Sequence, residues 1–142
     1  MRILGLDYGK KRIGVALCDE LGLTAQGLTV IERKNKQRDL ESLKHYVQTY
    51  AVEKIVIGYP LRLDGTVGIQ CEEVDRFIKA MASVLPLPII RWDETLTTKD
   101  AEAILRTANV KPKKRKAVVD KIAAGMILQG YLDALGKVRV TQ

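Results

Sequence analysis

Ile3-Leu4-Gly5-Leu6-Asp7-Tyr8-Gly9-Lys10-Lys11-Arg12-Ile13-Gly14-Val15-Ala16-Leu17 is the stretch that decides how this chain folds. Two short apolar runs, Ile3 to Leu6 and Ile13 to Leu17, flank a basic turn from Tyr8 to Arg12. So short a turn joins antiparallel neighbours. Leu28-Thr29-Val30-Ile31 supplies a third strand, and the opening reads as a three-strand meander.

Beyond it the pattern changes to helix alternating with strand. Leu40, Leu43, Val47 and Tyr50 recur at helical spacing. Lys54-Ile55-Val56-Ile57-Gly58 is a strand of the buried type, stopped by Pro60. Val74, Phe77, Ile78 and Met81 mark a second helix that ends before Pro86, and Leu87 to Trp92 gives a fifth strand. Thr97 with Asp100 fits a capping box for a third helix carrying Ala101, Ile104, Leu105 and Ala108 inward. A last helix sets Val119, Ile122, Ala123, Met126, Ile127 and Tyr131 on one face. Right-handed crossovers place strands four and five parallel to strand one. The expected fold is α/β, of the ribonuclease H-like layout: a mixed five-stranded sheet, three strands antiparallel and two parallel, flanked by helices.

The chain has 142 residues, with 46% hydrophobic and 29% charged, which suits one globular domain spanning 1–142. No apolar run matches a signal peptide or a membrane span, so a cytoplasmic protein without a membrane partner is expected. Cys18 and Cys71 lie far apart with no CxxC, which disfavours a zinc site and suggests two reduced, partly buried thiols. His45 falls on the polar side of the first helix, leaving little support for a Ser/His/Asp or Cys/His arrangement. The net charge of +7 favours polyanionic partners.

Acidic residues fall where this layout gathers strand ends. Asp7 ends the first strand, Asp93 and Glu94 end the fifth, and Asp120 stands in the first turn or so of the last helix. Open α/β sheets place their sites at such an edge. Phosphodiester cleavage uses carboxylates of this kind, because two Mg²⁺ ions can activate a water on one side and stabilise the leaving oxygen on the other. Mg²⁺ (or Mn²⁺) takes hard oxygen ligands and few of them from the protein. Each acid also has a plainer role: Asp7 accepting from turn amides, Asp93 and Glu94 capping a helix, and Asp120 answering the macrodipole.

Basic residues surround that edge. Lys10, Lys11 and Arg12 follow Asp7, and Lys111, Lys113, Lys114, Arg115 and Lys116 precede Asp120. They would meet a phosphate backbone without reading its sequence, although a solvated loop explains the second run as well. Gly58 to Thr66 is a loop that includes Arg62, and its amides after Asp64-Gly65 could hold a phosphate or merely lead into the second helix.

The chain resembles the YqgF/RuvX family. The resemblance rests on Gly5 through Ala16, Pro60-Leu61 through Asp64-Gly65-Thr66, Asp93-Glu94 with Leu96-Thr97-Thr98, and Asp120 through Ala123-Ala124 to Ile127-Leu128. These motifs span nearly the whole chain in the family's order. Members are described as Holliday junction resolvase-like and as nucleases maturing the 5′ end of the small-subunit ribosomal RNA precursor. The resemblance implies a ribonuclease H-like fold, with Asp7, Glu94 and Asp120 as the catalytic, metal-holding carboxylates and Asp93 as an additional candidate. Thr95 stands where many members have Arg, Tyr59 where Leu is common, and Cys18 where Ser is common.

The expected function is therefore a metal-dependent endonuclease acting on precursor ribosomal RNA in ribosome biogenesis. Two rivals are a nuclease for branched DNA and a non-catalytic, RNA-binding assembly factor. Cleaving a junction needs two sites facing two strands, so a homodimer would favour the DNA rival over a monomer. Leu6-Asp7-Tyr8-Gly9 with Gly14-Val15-Ala16 also resembles the phosphate loop of the actin and sugar-kinase superfamily. That superfamily uses two such domains, and this length supplies one.

Overall fold

The computed structural model describes residues 1–59, 68–93 and 112–141, with the last helix's side chains described over 118–136. Five strands form one sheet: β1 (Ile3–Tyr8), β2 (Arg12–Cys18), β3 (Ala25–Glu32), β4 (Lys54–Tyr59) and β5 (Ile89–Asp93). Their spatial order is β3-β2-β1-β4-β5. β1 and β2 pair antiparallel, as do β2 and β3, whereas β4 lies parallel to β1 and β5 parallel to β4. The mixed sheet matches the expected one. β1 runs past Asp7 to Tyr8, because Asp7 still pairs with Gly14 and Tyr8 with Ile13.

Helix α1 (Lys36–Thr49) starts where the Asn35 side chain accepts from the Arg38 amide at 2.9 Å, a satisfied N-cap. Helix α2 (Ile69–Val84) buries Cys71, Val74, Phe77 and Met81, which recur at three- and four-residue steps. It stops as the Leu85 amide donates to the Met81 carbonyl, one residue before Pro86. Both helices cover one face of the sheet. Leu4, Leu6, Ile13, Val15, Ile55 and Ile57 pack there against Leu43, Val74, Phe77 and Met81.

Helix α3 (Pro112–Thr141) covers the opposite face, packing Ala124, Ile127 and Leu128 on Ile3, Ala16 and Val56. A row of small residues admits it. Gly5 pairs with Ala16, and Ala16 with Gly27, across three adjacent strands. A methyl group on Gly5 would stand 2.7 Å from Leu128 Cβ, so the helix rests almost directly on the strand backbone.

Two expectations change here. The last helix begins at Pro112, so Lys113 to Lys116 belong to it and not to a loop. Proline suits the first helical position, and Lys, Arg and Ala are good helix formers. Asp120 therefore lies in the third turn and not the first, too deep for the macrodipole to account for it. The expected helix over 97–108 lies outside the described residues, as do Arg62, Glu94 and Lys111. No helix among the described residues is long and apolar enough to cross a membrane.

Candidate active site

Strand alternation decides which side chains share the site. Ile3 packs on the α3 face while Leu4 and Leu6 pack on the other, so Asp7 projects toward α3. Its register partner is Gly14. A methyl group on Gly14 would collide with the Asp120 carbonyl oxygen and stand 3.2 Å from Asp120 Cβ. Glycine at position 14 is what lets α3 come this close. Directly opposed residues share a face, so Asp7 and Asp120 both border Gly14 on the α3 face despite being more than a hundred positions apart.

Arg12, the first residue of β2, donates from Nε to Asp120 Oδ2 at 2.9 Å. The two side chains are 23% and 21% exposed, shielded enough for a charge-assisted bond to orient the carboxylate. Burial pushes the Asp120 carboxyl above its ordinary value, the Arg12 hydrogen bond and charge pull it back, and Glu32 adds to the rise. Arg12, expected to meet phosphate, thus has an acidic partner inside the chain, and only one of the two Asp120 oxygens is engaged by it.

Asp93 falls differently. Ile90 and Trp92 pack on the α3 face, Ile89 packs on the other, and Arg91 reaches Asp75 of α2 at 2.8 Å. Alternation therefore sets Asp93 on the α1/α2 face, away from Asp7. Trp92 is level with Gly58. Gly58 follows Ile57, the partner of Leu6, so β5 runs past the level of Asp7 two strands away. That separation is roughly 10 Å across the sheet. Among the described residues no three Asp, Glu, His or Cys side chains gather at metal-holding distance. Asp7 and Asp120 supply hard carboxylate oxygens at one edge, the donor type that suits Mg²⁺ or Mn²⁺.

Lys10 and Lys11 are exposed on the turn between β1 and β2. Lys113, Lys114, Arg115 and Lys116 lie in the first turns of α3, on the chain leading to Asp120. Arg33 is a residue that the sequence reading missed. One of its guanidinium nitrogens donates to the carbonyls of Gly9 at 2.8 Å and Lys10 at 2.9 Å, and its plane lies 4.4 Å over the Tyr8 ring. The turn carrying Lys10 is held from the end of β3. Buried Asp39 anchors the same corner, accepting from the Lys34 amide at 3.0 Å. Neither had a local sequence signal beyond the Asn35 cap.

The sheet order and the packing of α3 define a ribonuclease H-like α/β fold. The solved RuvC from T. thermophilus bound to a Holliday junction substrate superposes with a TM-score of 0.60, at 14% identity over 96% of each chain. The fowlpox virus resolvase in complex with its junction DNA gives 0.54 at 15% identity, covering 95% of this chain and 99% of that one.

The chain belongs to the RuvX (YqgF) family, whose model, described as a Holliday junction resolvase, matches residues 1–134. A protein of Syntrophus aciditrophicus named "Putative pre-16S rRNA nuclease" is 63% identical over 140 residues, 99% of this chain and 93% of that one. One of the same name from Halothermothrix orenii is 50% identical over 137 residues, 96% and 98% of the two chains. The protein is accordingly a nuclease, a hydrolase of phosphodiester bonds.

Proposed function

We propose that the protein cleaves precursor 16S ribosomal RNA, using Asp7, Asp120 and Glu94 as metal-holding carboxylates. The observation that supports the site is that Asp7, the strand partner of Gly14, and Asp120, packed against Gly14, lie on the same face of the sheet. The names of relatives 63% and 50% identical over nearly the full chain support the substrate. Likeness to junction-bound resolvases at 14–15% identity speaks for the fold alone. Asp93, on the other face, stays outside the ligand set. The site is taken to act in the cytoplasm, within a single domain.

The carboxylates would hold Mg²⁺ or Mn²⁺, which lowers the pKa of a bound water and offsets charge on the leaving oxygen. The protein's own part is orientation. Arg12 fixes one Asp120 oxygen, Asp7 is held in the β1–β2 ladder, and Gly14 sets their separation. Water oxygen then forms a bond to phosphorus while one ester P–O bond breaks. The water proton leaves to solvent, and the departing alkoxide takes up another. Lys10 and Lys11 on the β1–β2 turn, and the Lys113 to Lys116 run early in α3, would offset the charge of the RNA backbone.

Incubation of the protein with precursor RNA and Mg²⁺ tests this reading. Wild type should yield a discrete shortened product, and Asp7→Asn should slow its formation by more than about a hundredfold, beyond the cost of losing an outer-shell partner. Equal rates for the two proteins would overturn it. Cleavage of four-way DNA junctions in a parallel reaction, with none of the RNA, would reassign the substrate to branched DNA.

A further inference from the structure

On the face of the sheet opposite Asp7, a cavity of about 540 Å³ opens beside the β1–β2 turn. Lys10, Arg33, Lys34, Lys36 and Arg76 line it, against two carboxylates among the described residues, Asp39 and Glu73. Asp39 is already committed to the Lys34 amide and lies 4.0 Å from Arg33 Nε, so its charge is partly spent inside the protein. The N-terminus of α1, at Asn35 and Lys36, also opens into the cavity, adding the partial positive charge of a helix start. The space therefore attracts an anion.

The aromatic wall narrows the choice of anion. Tyr8 stacks on Phe77 with ring centroids 4.4 Å apart, and Arg33 covers the Tyr8 ring from 4.4 Å. Phe77 is itself buried. With Tyr8 flanked by Phe77 and Arg33, its ring is poorly placed to stack on a nucleobase, and the recognition on offer is charge and hydrogen-bond donation. Location narrows the choice again. Tyr8 is the neighbour of Asp7 in β1, and the two side chains leave the strand on opposite faces. A polyanion passing the carboxylate edge has only to cross the Gly9-Lys10-Lys11 turn to reach this cavity.

We infer that this cavity is a second phosphate site, which grips the phosphodiester backbone of the RNA strand a few nucleotides from the bond being cut. The inference rests on the nuclease reading of the Asp7 edge. It makes the β1–β2 turn a ridge over which the strand bends, with Arg33 as its internal brace.

Lys34 and Arg76 are exposed and can be changed without disturbing the core. Binding of a short fluorescein-labelled oligoribonucleotide to the intact protein, in EDTA so that no cleavage occurs, would be followed by anisotropy over a range of salt. The double variant Lys34→Gln/Arg76→Gln should bind roughly tenfold more weakly at low salt. Its plot of log K against log salt should flatten by about 1.4, two contacts at about 0.7 each. Lys44→Gln, an exposed change on α1 outside the cavity, should move neither by more than one surface charge would. A slope equal to that of wild type would overturn the inference. So would unchanged RNA binding together with lost binding of pyrophosphate, which would assign the cavity to a free phosphate compound. The readout is binding in EDTA, so a failure to cleave in the separate Mg²⁺ reaction would defeat the Asp7 reading, while the salt slope would still decide whether Lys34 and Arg76 contact phosphate.

Discussion

Asp120 links the electrostatics of the site to a measurable property. Its folded pKa lies above the ordinary 3.8, chiefly through burial. The sign follows: its contribution to stability is fully present below the unfolded value and is lost as pH rises through the folded one. At neutral pH the ionised group therefore weakens the fold, and a divalent cation would relieve that. Mg²⁺ should raise the thermal midpoint by about 2–4 °C at pH 7. The gain should shrink as pH falls through the folded pKa and be absent from Asp120→Asn, as scanning calorimetry with and without EDTA would show. Asp7 and Asp120 were readable as candidates from type and position alone. The Arg12 partnership was not, because a lysine- and arginine-rich turn beside an acid looks the same whether it faces solvent, phosphate or a buried carboxylate. Arg33 and Asp39 were less legible still, since their work is to hold a backbone turn that is distant in sequence.

At the scale of elements, α3 and the sheet are fitted by glycine. Gly14→Ala would drive a methyl group into the Asp120 carbonyl and push the helix away from β2. Overpacking of this kind costs about 1–3 kcal/mol, and here it also parts the two carboxylates. Urea unfolding should show the loss, and cleavage should fall by more than the lost stability explains. Equal stability and activity in Gly14→Ala would contradict the close approach. The strands were legible because apolar runs between turn residues carry a strong period: β1, β2, β3 and β4 all include the expected segments, and β5 starts at Ile89, two residues after the expected Leu87. The start of α3 was not legible. A run of five bases within residues 111–116 looks like a solvated loop, yet its helix propensity lets the structure begin at Pro112. The row Gly5–Ala16–Gly27 was equally hidden, because it exists only once strand register is known.

For the whole molecule, the topology carries the site. Placing β4 beside β1 and laying α3 over β1 and β2 brings one carboxylate from each end of the chain to the same edge. Order of elements and right-handed crossovers foretold the sheet. They could not tell which face each acid would take, and Asp93 accordingly lands away from Asp7. The same topology puts a cationic cavity behind the edge, so nucleic acid would meet positive charge on both faces. The measurement that bears most directly on this arrangement is anomalous scattering at the manganese edge from crystals soaked in Mn²⁺. A peak bound by Asp7 and Asp120 in wild type, and lost in Asp7→Asn, is the expected result. Manganese density elsewhere with none between these two carboxylates would contradict it.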